Sequence, residues 1–320
     1  MSKRELVKKS LMTEVATLYY RERLTQEEIG KRLFLSRTRI SRLLQQAQDC
    51  GIVEIHIHSE LERNYALENI VQQRFGLKEV LIYNGYGRNE KEIGEGVTAL
   101  AASYIKSHIH KDMTIGVSWG KSVSETVNAL KVDKPMPVNI AQIMGFGATE
   151  DVARNCNDIA GRLAAKYGGR VYYMNTPLFV ADQYVKQRML CDPVVSKTLE
   201  MAKSADIVIT SVGTMDYVST SNPWLGYMNE TMLQEIKQQA GVGCIGALFF
   251  NSEGEKLDNT WNRQCISVAL EDLRRMDEVV CVAWGEAKCK PILSAMKGRL
   301  IDILVSDSST IEKAISIIQA

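Results

Sequence analysis

The chain has 320 residues, 45 % hydrophobic and 24 % charged, with a formal net charge of +1. That length suits a small domain joined to a larger one, and the composition is that of a folded globular protein, which excludes disordered and collagen-like classes. No run of 18 apolar residues occurs and the opening MSKRELVKKS carries no apolar stretch, so neither a membrane-spanning helix nor a secretory signal is expected, and the cytoplasm is the expected compartment.

The first predicted element is an amphipathic helix with Val7, Leu11, Val15 and Leu18 on one side and Met12 and Tyr19 beside them. Residues 24–50, LTQEEIGKRLFLSRTRISRLLQQAQDC, then hold two short helices and a turn. Thr25 and Glu28 form a capping box, with Leu24 and Ile29 as the hydrophobic staple across it. Ser36 caps a second helix whose stripe Ile40, Leu43, Leu44, Ala47 follows the spacing of one buried face. At 100° per residue, Thr38, Arg42 and Gln45 occupy the centre of the opposite face, flanked by Arg39, Ser41 and Gln46, with Arg37 nearer the boundary. Arginines, hydroxyls and amides opposite a buried stripe, entered by a tight turn, make the recognition-helix pattern of a helix-turn-helix. Arg42, Arg39, Thr38 and Gln45 are expected at base edges; Ser36 and Ser41 lie on the same interface, and Arg37, Lys31 and Arg32 are expected at phosphates. Gly51 ends the helix, and residues 52–58 (IVEIHIH) alternate like a strand edge or wing.

The charge distribution agrees. Residues 1–50 hold 11 Lys/Arg against 6 Asp/Glu, net +5, whereas the remaining 270 hold 28 against 32, net −4. Positive charge gathered at one end of a near-neutral chain points to one polyanion-binding module, residues 1–58, on a body, residues 59–320, that does not bind polyanions.

Residues 60–76 (ELERNYALENIVQQRFG) read as a connecting helix with Leu61, Tyr65, Leu67, Ile70 and Val71 as its apolar side. Strands are expected at 79–83, 113–118, 138–144, 170–174, 206–212, 244–250, 278–284 and 302–306. Helices are expected around 90–109, 121–131, 155–167, 181–203, 229–238, 266–275, 287–297 and 308–319. Short apolar strands alternating with helices predict an α/β domain with a mainly parallel sheet, whose ligands bind beyond the carboxyl ends of the strands. Four such ends run into glycine turns: Gly120-Lys121-Ser122, Gly145-Phe146-Gly147, Gly213-Thr214 and Gly285-Glu286-Ala287-Lys288. A glycine opening a strand-to-helix turn exposes backbone N–H groups at a helix N-terminus, which suits an anion. Lys121 and Lys288 add charge, and Ser122 and Thr214 add hydroxyl donors. A small anionic effector is therefore expected at these loops.

Seven scattered cysteines without a C-x-x-C spacing read as reduced thiols. The pairs His56/His58 and His108/His110 have no cysteine or carboxylate cluster beside them, so no metal and no cofactor is expected.

The order of these features resembles the SorC/DeoR-type sugar-sensing transcriptional regulators. The matching stretches include LTQEEIGKRL, SRTRISRLL, GIVEIHI, RFGLKEVLI, TIGVSWGKSV, VGTMDYV, LGYMNE, ALFFNSEG, CISVALEDL and VAWGEAKCKPILSAMKGRLIDILVSD. The resemblance implies a large Rossmann-like domain of phosphosugar-isomerase type that has lost catalysis and senses a sugar or sugar phosphate, in tetramers that bind operator DNA. It also places the family's phosphate-binding lysine at Lys288. Members that hold their ligand as a Schiff base use a lysine where this chain has Met144, and a frequent acidic residue is Cys244 here. Reversible binding of a polyol or ketose derivative is therefore expected. The competing expectation from another class is an active phosphosugar isomerase or deaminase with an appended DNA-binding segment. Its acid–base work would fall to a carboxylate among Glu150, Asp151, Asp216 and Glu286. A third is an architectural DNA-binding protein with no ligand.

Overall fold

The structure, a computed structural model, describes residues 3–53, 62–147, 155–215 and 227–319, the side chains of 3–7 and 319 excepted. The expected wing residues 54–58, with His56 and His58, and the acids Glu150, Asp151 and Asp216 lie outside the described residues, as do Glu60, Leu61 and the side chain of Val7. The chain divides into two compact units, Met1–Glu60 and Leu61–Ala320.

The small unit is helical. Helix α1 (Lys3–Ala16) continues into a π-helical turn, Thr17–Arg21, and is followed by α2 (Gln26–Leu33) and α3 (Arg37–Asp49). Thr25 and Glu28 make the capping box, the Glu28 carboxylate accepting the Thr25 backbone N–H at 2.8 Å. Hydrogen bonds from the Thr25 backbone and hydroxyl hold the Glu28 carboxyl below its ordinary range. Ser36 Oγ accepts the Arg39 N–H and starts α3. Ile40, Leu43, Leu44 and Ala47 are buried against Met12, Val15, Leu18 and Ile29, each aliphatic side chain contributing about 1.5–3 kcal/mol on transfer from water. The turn is close-packed: a Cβ on Gly30 would stand 2.7 Å from the Leu35 carbonyl oxygen. Gly51 (φ +68°) follows α3, and Ile52 and Val53 fold back onto this core.

In the large unit α4 (Tyr65–Phe75), β1 (Glu79–Tyr83), α5 (Glu90–His108), β2 (Thr114–Val117), α6 (Lys121–Ala129) and β3 (Asn139–Gln142) come first. Next are α7 (Cys156–Tyr167), β4 (Arg170–Tyr172), α8 (Gln183–Leu190), α9 (Pro193–Lys203), β5 (Ile207–Thr210), β6 (Gly213–Thr214) and α10 (Glu230–Gln238). The chain continues with β7 (Gly243–Ile245), β8 (Leu248–Phe250), α11 (Thr260–Gln264), α12 (Leu270–Leu273), β9 (Val279–Val282), α13 (Cys289–Lys297), β10 (Ile303–Asp307) and α14 (Ser308–Gln319).

Seven strands form one parallel sheet in the order β1-β10-β9-β5-β2-β3-β4. Alternate residues face opposite layers: Ile207, Ile209, Val280 and Val282 pack on α5, α6 and α7, while Val208, Val279 and Cys281 face the layer holding α4, α9, α13 and α14. Burial on both faces explains why these strands are continuous apolar runs. After β2 the chain moves outward to β3 and β4, and then returns across β2 to β5 and β9. The strand order therefore reverses between β2 and β5, where such sheets bind ligands. Just before α4, Arg63 bridges antiparallel to Tyr83 at the end of β1, and its guanidinium makes a two-pronged pair with the buried Glu68 carboxylate at 2.9 Å. That hydrogen bond is the main cause raising the Arg63 pKa further.

Three expected elements are corrected. The run 244–250 is a hairpin, not one strand: β7 and β8 pair antiparallel around Gly246 (φ +54°) and Ala247 (φ +66°), and with β6 make a separate three-stranded sheet. The expected helix 181–203 is two helices, because Asp192 caps a new one with Pro193 at its first position. The expected helix 266–275 shrinks to α12; Ser267 instead bridges Met144, and the Ile266 N–H donates to Leu178. The connecting helix starts later, at Tyr65, with Leu67 and Val71 buried and Tyr65 and Ile70 exposed.

Candidate functional site

The small unit presents one polar face. Arg37, Thr38, Arg39, Ser41, Arg42 and Gln45 of α3 are all exposed, as are Ser36, Lys31 and Arg32. Among the described residues Arg37, Arg39 and Arg42 have no ion-pair partner, so three guanidinium groups project from one helix into solvent. The others are lightly engaged: Lys31 with Glu27 at 3.1 Å, Arg32 with Glu22 at 3.2 Å, Gln45 with Asp49 at 3.1 Å. Exposed pairs of this kind are worth little and exchange readily for a phosphate. Phe34, in the left-handed conformation that ends α2, is 94 % exposed at the turn.

In the large unit a cleft of about 490 Å³ opens where the strand order reverses. Its walls are the segments following β2 (Ser118–Ser122), β5 (Ser211–Thr214) and β9 (Trp284–Lys288), with Cys244, Gly246 and Ala247 of the hairpin and Glu90 of α5. The half-buried Lys288 is central. Its Nζ donates to Ser211 Oγ at 3.1 Å and Ser122 Oγ at 3.2 Å, and stands 5.9 Å from the Trp284 ring centroid. Among the described residues no carboxylate lies within ion-pair distance of it. Burial pulls its pKa down to about 8, with Cys281 and Cys244 acting weakly the other way. A neighbouring anion would favour its charged form and raise the pKa again. Glu286, the carboxylate nearest in sequence, is paired with Lys313 of α14.

Backbone donors complete the cradle. Gly120 (φ +114°) opens α6, and among the described residues the N–H groups of Lys121, Ser122 and Val123 reach no acceptor. In the late turn Gly285 N–H is taken by Thr310 Oγ1 and Lys288 N–H by the Gly285 carbonyl, leaving those of Glu286 and Ala287. Two sets of N–H groups without acceptors and an ammonium with no carboxylate in ion-pair distance, all among the described residues, give the cleft donors of the kind that suits an anion. Burial pushes the Cys244 thiol in the wall up to about 12, so it stays protonated.

The structure brings together Gly120, Lys121, Ser122, Gly213, Thr214 and Lys288, and leaves Gly145, Phe146 and Gly147 outside the cleft. Gly145 instead packs against the Pro177 carbonyl, Phe146 bridges Pro177, and Gly147 underlies the Trp119 ring. Sequence reasoning missed Trp119, Ser211, Trp284 and Glu90. The two tryptophans had a signal: β2 and β9 both run into a Trp-Gly dipeptide before a helix. Among the described residues no group of three His, Cys, Asp or Glu could hold a metal ion, and no helix is long and apolar enough to cross a membrane. His108 stacks on Tyr104 with ring centroids 3.9 Å apart.

Known proteins share both units. The family model described as "Putative sugar-binding domain" matches residues 59–316, and that of sigma-70 region 4 matches residues 12–50. The Deoxyribonucleoside regulator of Bacillus subtilis is 28 % identical over 303 residues, 95 % of this chain and 96 % of its own length. The Sorbitol operon regulator of Klebsiella pneumoniae is 25 % identical over 94 % of this chain and 96 % of its own. The Erythritol catabolism regulatory protein EryD of Brucella abortus is 26 % identical over 94 % and 95 %. The crystal structure of full-length SorC from Klebsiella pneumoniae superposes with a TM-score of 0.73 at 24 % identity, covering 96 % of this chain and 98 % of that one.

Proposed function

Because the chain belongs to the sugar-binding family of SorC/DeoR-type transcriptional regulators, we propose that its residues 1–58 hold operator DNA through α3 while its residues 59–320 take the controlling effector in the cleft between β2, β5 and β9. The protein is a transcriptional regulator and not an enzyme. The effector is a small sugar, polyol or sugar phosphate, and the regulated genes serve carbohydrate use. On the DNA side Arg42, Arg39, Thr38 and Gln45 meet base edges, and Lys31, Arg32, Ser36, Arg37 and Ser41 hold the backbone. On the effector side Lys288 and Ser122, with the N–H groups of 121–123 and 286–287, take the anionic or most polar end. Gly120, Lys121, Gly213 and Thr214 line the rest, and Gly147, at the end of the Gly145-Phe146-Gly147 turn, acts from behind by seating Trp119.

The observation that carries this reading is Lys288: a half-buried lysine with two hydroxyl neighbours and, among the described residues, no carboxylate within ion-pair distance, at the reversal point of a parallel sheet. Such an arrangement is costly until an anion or an array of hydroxyls joins it. Binding is reversible and non-covalent at the position where Schiff-base members of the family carry a lysine, since Met144 supplies no amine. One recognition helix reads only a few base pairs, so the working unit is a homo-oligomer that places two helices on two half-sites; that it is a cytoplasmic tetramer rests on the family resemblance alone.

The relatives' names span a deoxyribonucleoside, a six-carbon polyol and a four-carbon polyol, so the test is a thermal-shift screen across free and phosphorylated pentoses, hexoses and polyols. Compounds that raise Tm are then added to an operator gel shift. A stabilising compound that changes operator affinity supports the reading. Turnover of a sugar phosphate, or no stabilisation by any member of the set, refutes it.

A further inference from the structure

We propose that Thr310, oriented by Asp307, is a positioning residue for the effector: it holds the 285–288 turn so that the Glu286 and Ala287 N–H groups and Lys288 converge on the bound anion. The proposal rests on the reading of the cleft given above and adds two residues that no cleft wall contains.

Asp307 is the last residue of β10, and Thr310 lies in the first turn of α14. Asp307 is 1 % exposed and Thr310 2 % exposed. One Asp307 oxygen accepts the Ser309 hydroxyl at 2.6 Å and the Thr310 N–H at 3.1 Å, which makes Asp307 the cap of α14. The other oxygen accepts the Thr310 hydroxyl. A carboxylate accepts and does not donate, so the single hydroxyl proton of Thr310 is committed to Asp307. Its lone pairs therefore face the turn, where Oγ1 accepts the Gly285 N–H at 2.8 Å. Polarity is thus fixed from a buried carboxylate, through one hydroxyl, to the first N–H of the turn.

That bond decides how the turn is aimed. Gly285 sits at φ +98°, a conformation open to glycine and closed to most other residues, so the bond to Thr310 selects it from the many that glycine could adopt. With its N–H taken by Thr310, the turn lines the cleft with the Glu286 and Ala287 N–H groups still without an acceptor among the described residues. Two further contacts brace the same turn against α14: the Cys289 thiol donates to the Thr310 carbonyl at 3.2 Å, and Lys313 pairs with Glu286. Neither replaces the first, because Lys313 and Glu286 are an exposed pair and Cys289 follows the turn.

The test uses the full chain and inorganic phosphate as the probe, titrated by calorimetry at pH 7. Thr310→Val keeps the shape and removes the hydroxyl. It should weaken phosphate binding five- to tenfold, while Thr310→Ser, which restores the hydroxyl, should return it to within twofold of wild type. The pH at which residual binding fades should not move, because Lys288 is untouched; a general loosening of the fold would shift it. Should Thr310→Val fail to fold, Thr310→Ala with its smaller side chain takes its place in the same comparison. Wild-type affinity in Thr310→Val or Thr310→Ala, or equal loss in the Val and Ser variants, overturns the positioning role alone. Absence of phosphate binding in the wild-type chain overturns this proposal, whereas the reading of the cleft falls only if no free or phosphorylated sugar or polyol stabilises the chain either.

Discussion

Gly147 is the seat of Trp119: a Cβ at position 147 would stand 2.3 Å from the edge of the indole. Gly94 stands in the same relation to Trp284, with a Cβ 3.0 Å from its ring. Both tryptophans of the cleft wall thus lie on a glycine of another element, which sets how far each ring can withdraw. Gly147→Ala should push the Trp119 ring and leave Lys288 untouched. Sugar-phosphate affinity is expected to fall about tenfold, roughly 1.4 kcal/mol, with inorganic phosphate affinity within twofold of wild type. Parallel calorimetric titrations of the two ligands check this; equal losses for both would show that the ring does not contact the sugar.

Arg42→Ala should lower operator affinity by about ten- to a hundredfold, the roughly 1–3 kcal/mol of one base contact. Arg42 has no partner among the described residues, so Tm should not change. Lys31→Ala should instead weaken binding to all sequences alike and flatten its salt dependence. Gel-shift titrations at several salt concentrations separate the two; unchanged affinity in Arg42→Ala would remove it from the interface.

Phe34 holds φ +53° with its ring in solvent, ending α2 where glycine is the usual choice. Phe34→Gly should relieve the left-handed strain and raise stability by about 0.5–1 kcal/mol, measured by urea denaturation. Lost stability would mean that the aromatic ring has a packing role.

The effector affinity should depend on pH through Lys288. Its free-state pKa of about 8 lies below the lysine value of 10.5 because burial disfavours the charge. An anion in the cleft favours the charged form, so binding takes up protons near pH 8, and affinity should fall as pH rises from 7 to 9. Stability without ligand moves oppositely. Between pH 8 and 10.5 the unfolded chain binds more protons than the folded one, so this residue's contribution rises across that window. Below pH 8 the desolvated charge is a standing cost, and Lys288→Met should raise Tm at pH 7 while abolishing phosphate binding. Thermal melts at pH 7 and 10 test this; a lower Tm for Lys288→Met at pH 7 contradicts it.

The features that were legible in the sequence are those made by neighbours in the chain. The Thr25–Glu28 box, the Ser36 cap and the Ile40–Ala47 stripe use spacings of three and four residues, and they recur in the structure with those partners. The parallel strands were visible because burial on both faces writes them as apolar runs. The same rule misled at 244–250: CIGALFF is apolar throughout, and its turn uses Gly246-Ala247 inside the core in place of an exposed Asn-Gly. Cys265–Val268 also has no local signature, since its extended form comes from Leu178 and Ile143, residues distant in the chain. In the cleft, lysine and glycine turns announced themselves, whereas Ser211 and Glu90 matter through strand order, which no local spacing encodes.

All seven strands of the large sheet run the same way, so their carboxyl ends share one edge, and the cleft lies along it. The chain enters the large unit at that edge too: the Asn84 N–H donates to Glu62 and the Asn64 N–H to Ile82, stitching residues 62–64 beside the last residues of β1. The Arg63–Glu68 pair rivets this entry point, since removing the arginine would strand a carboxylate that also accepts the Ile82 N–H. Asn64 Nδ2 further ties to Ser308 Oγ, at the start of the helix that braces the 285–288 turn. Residues 62–64, the first described residues of the large unit, are therefore moored along the same carboxyl edge as the cleft.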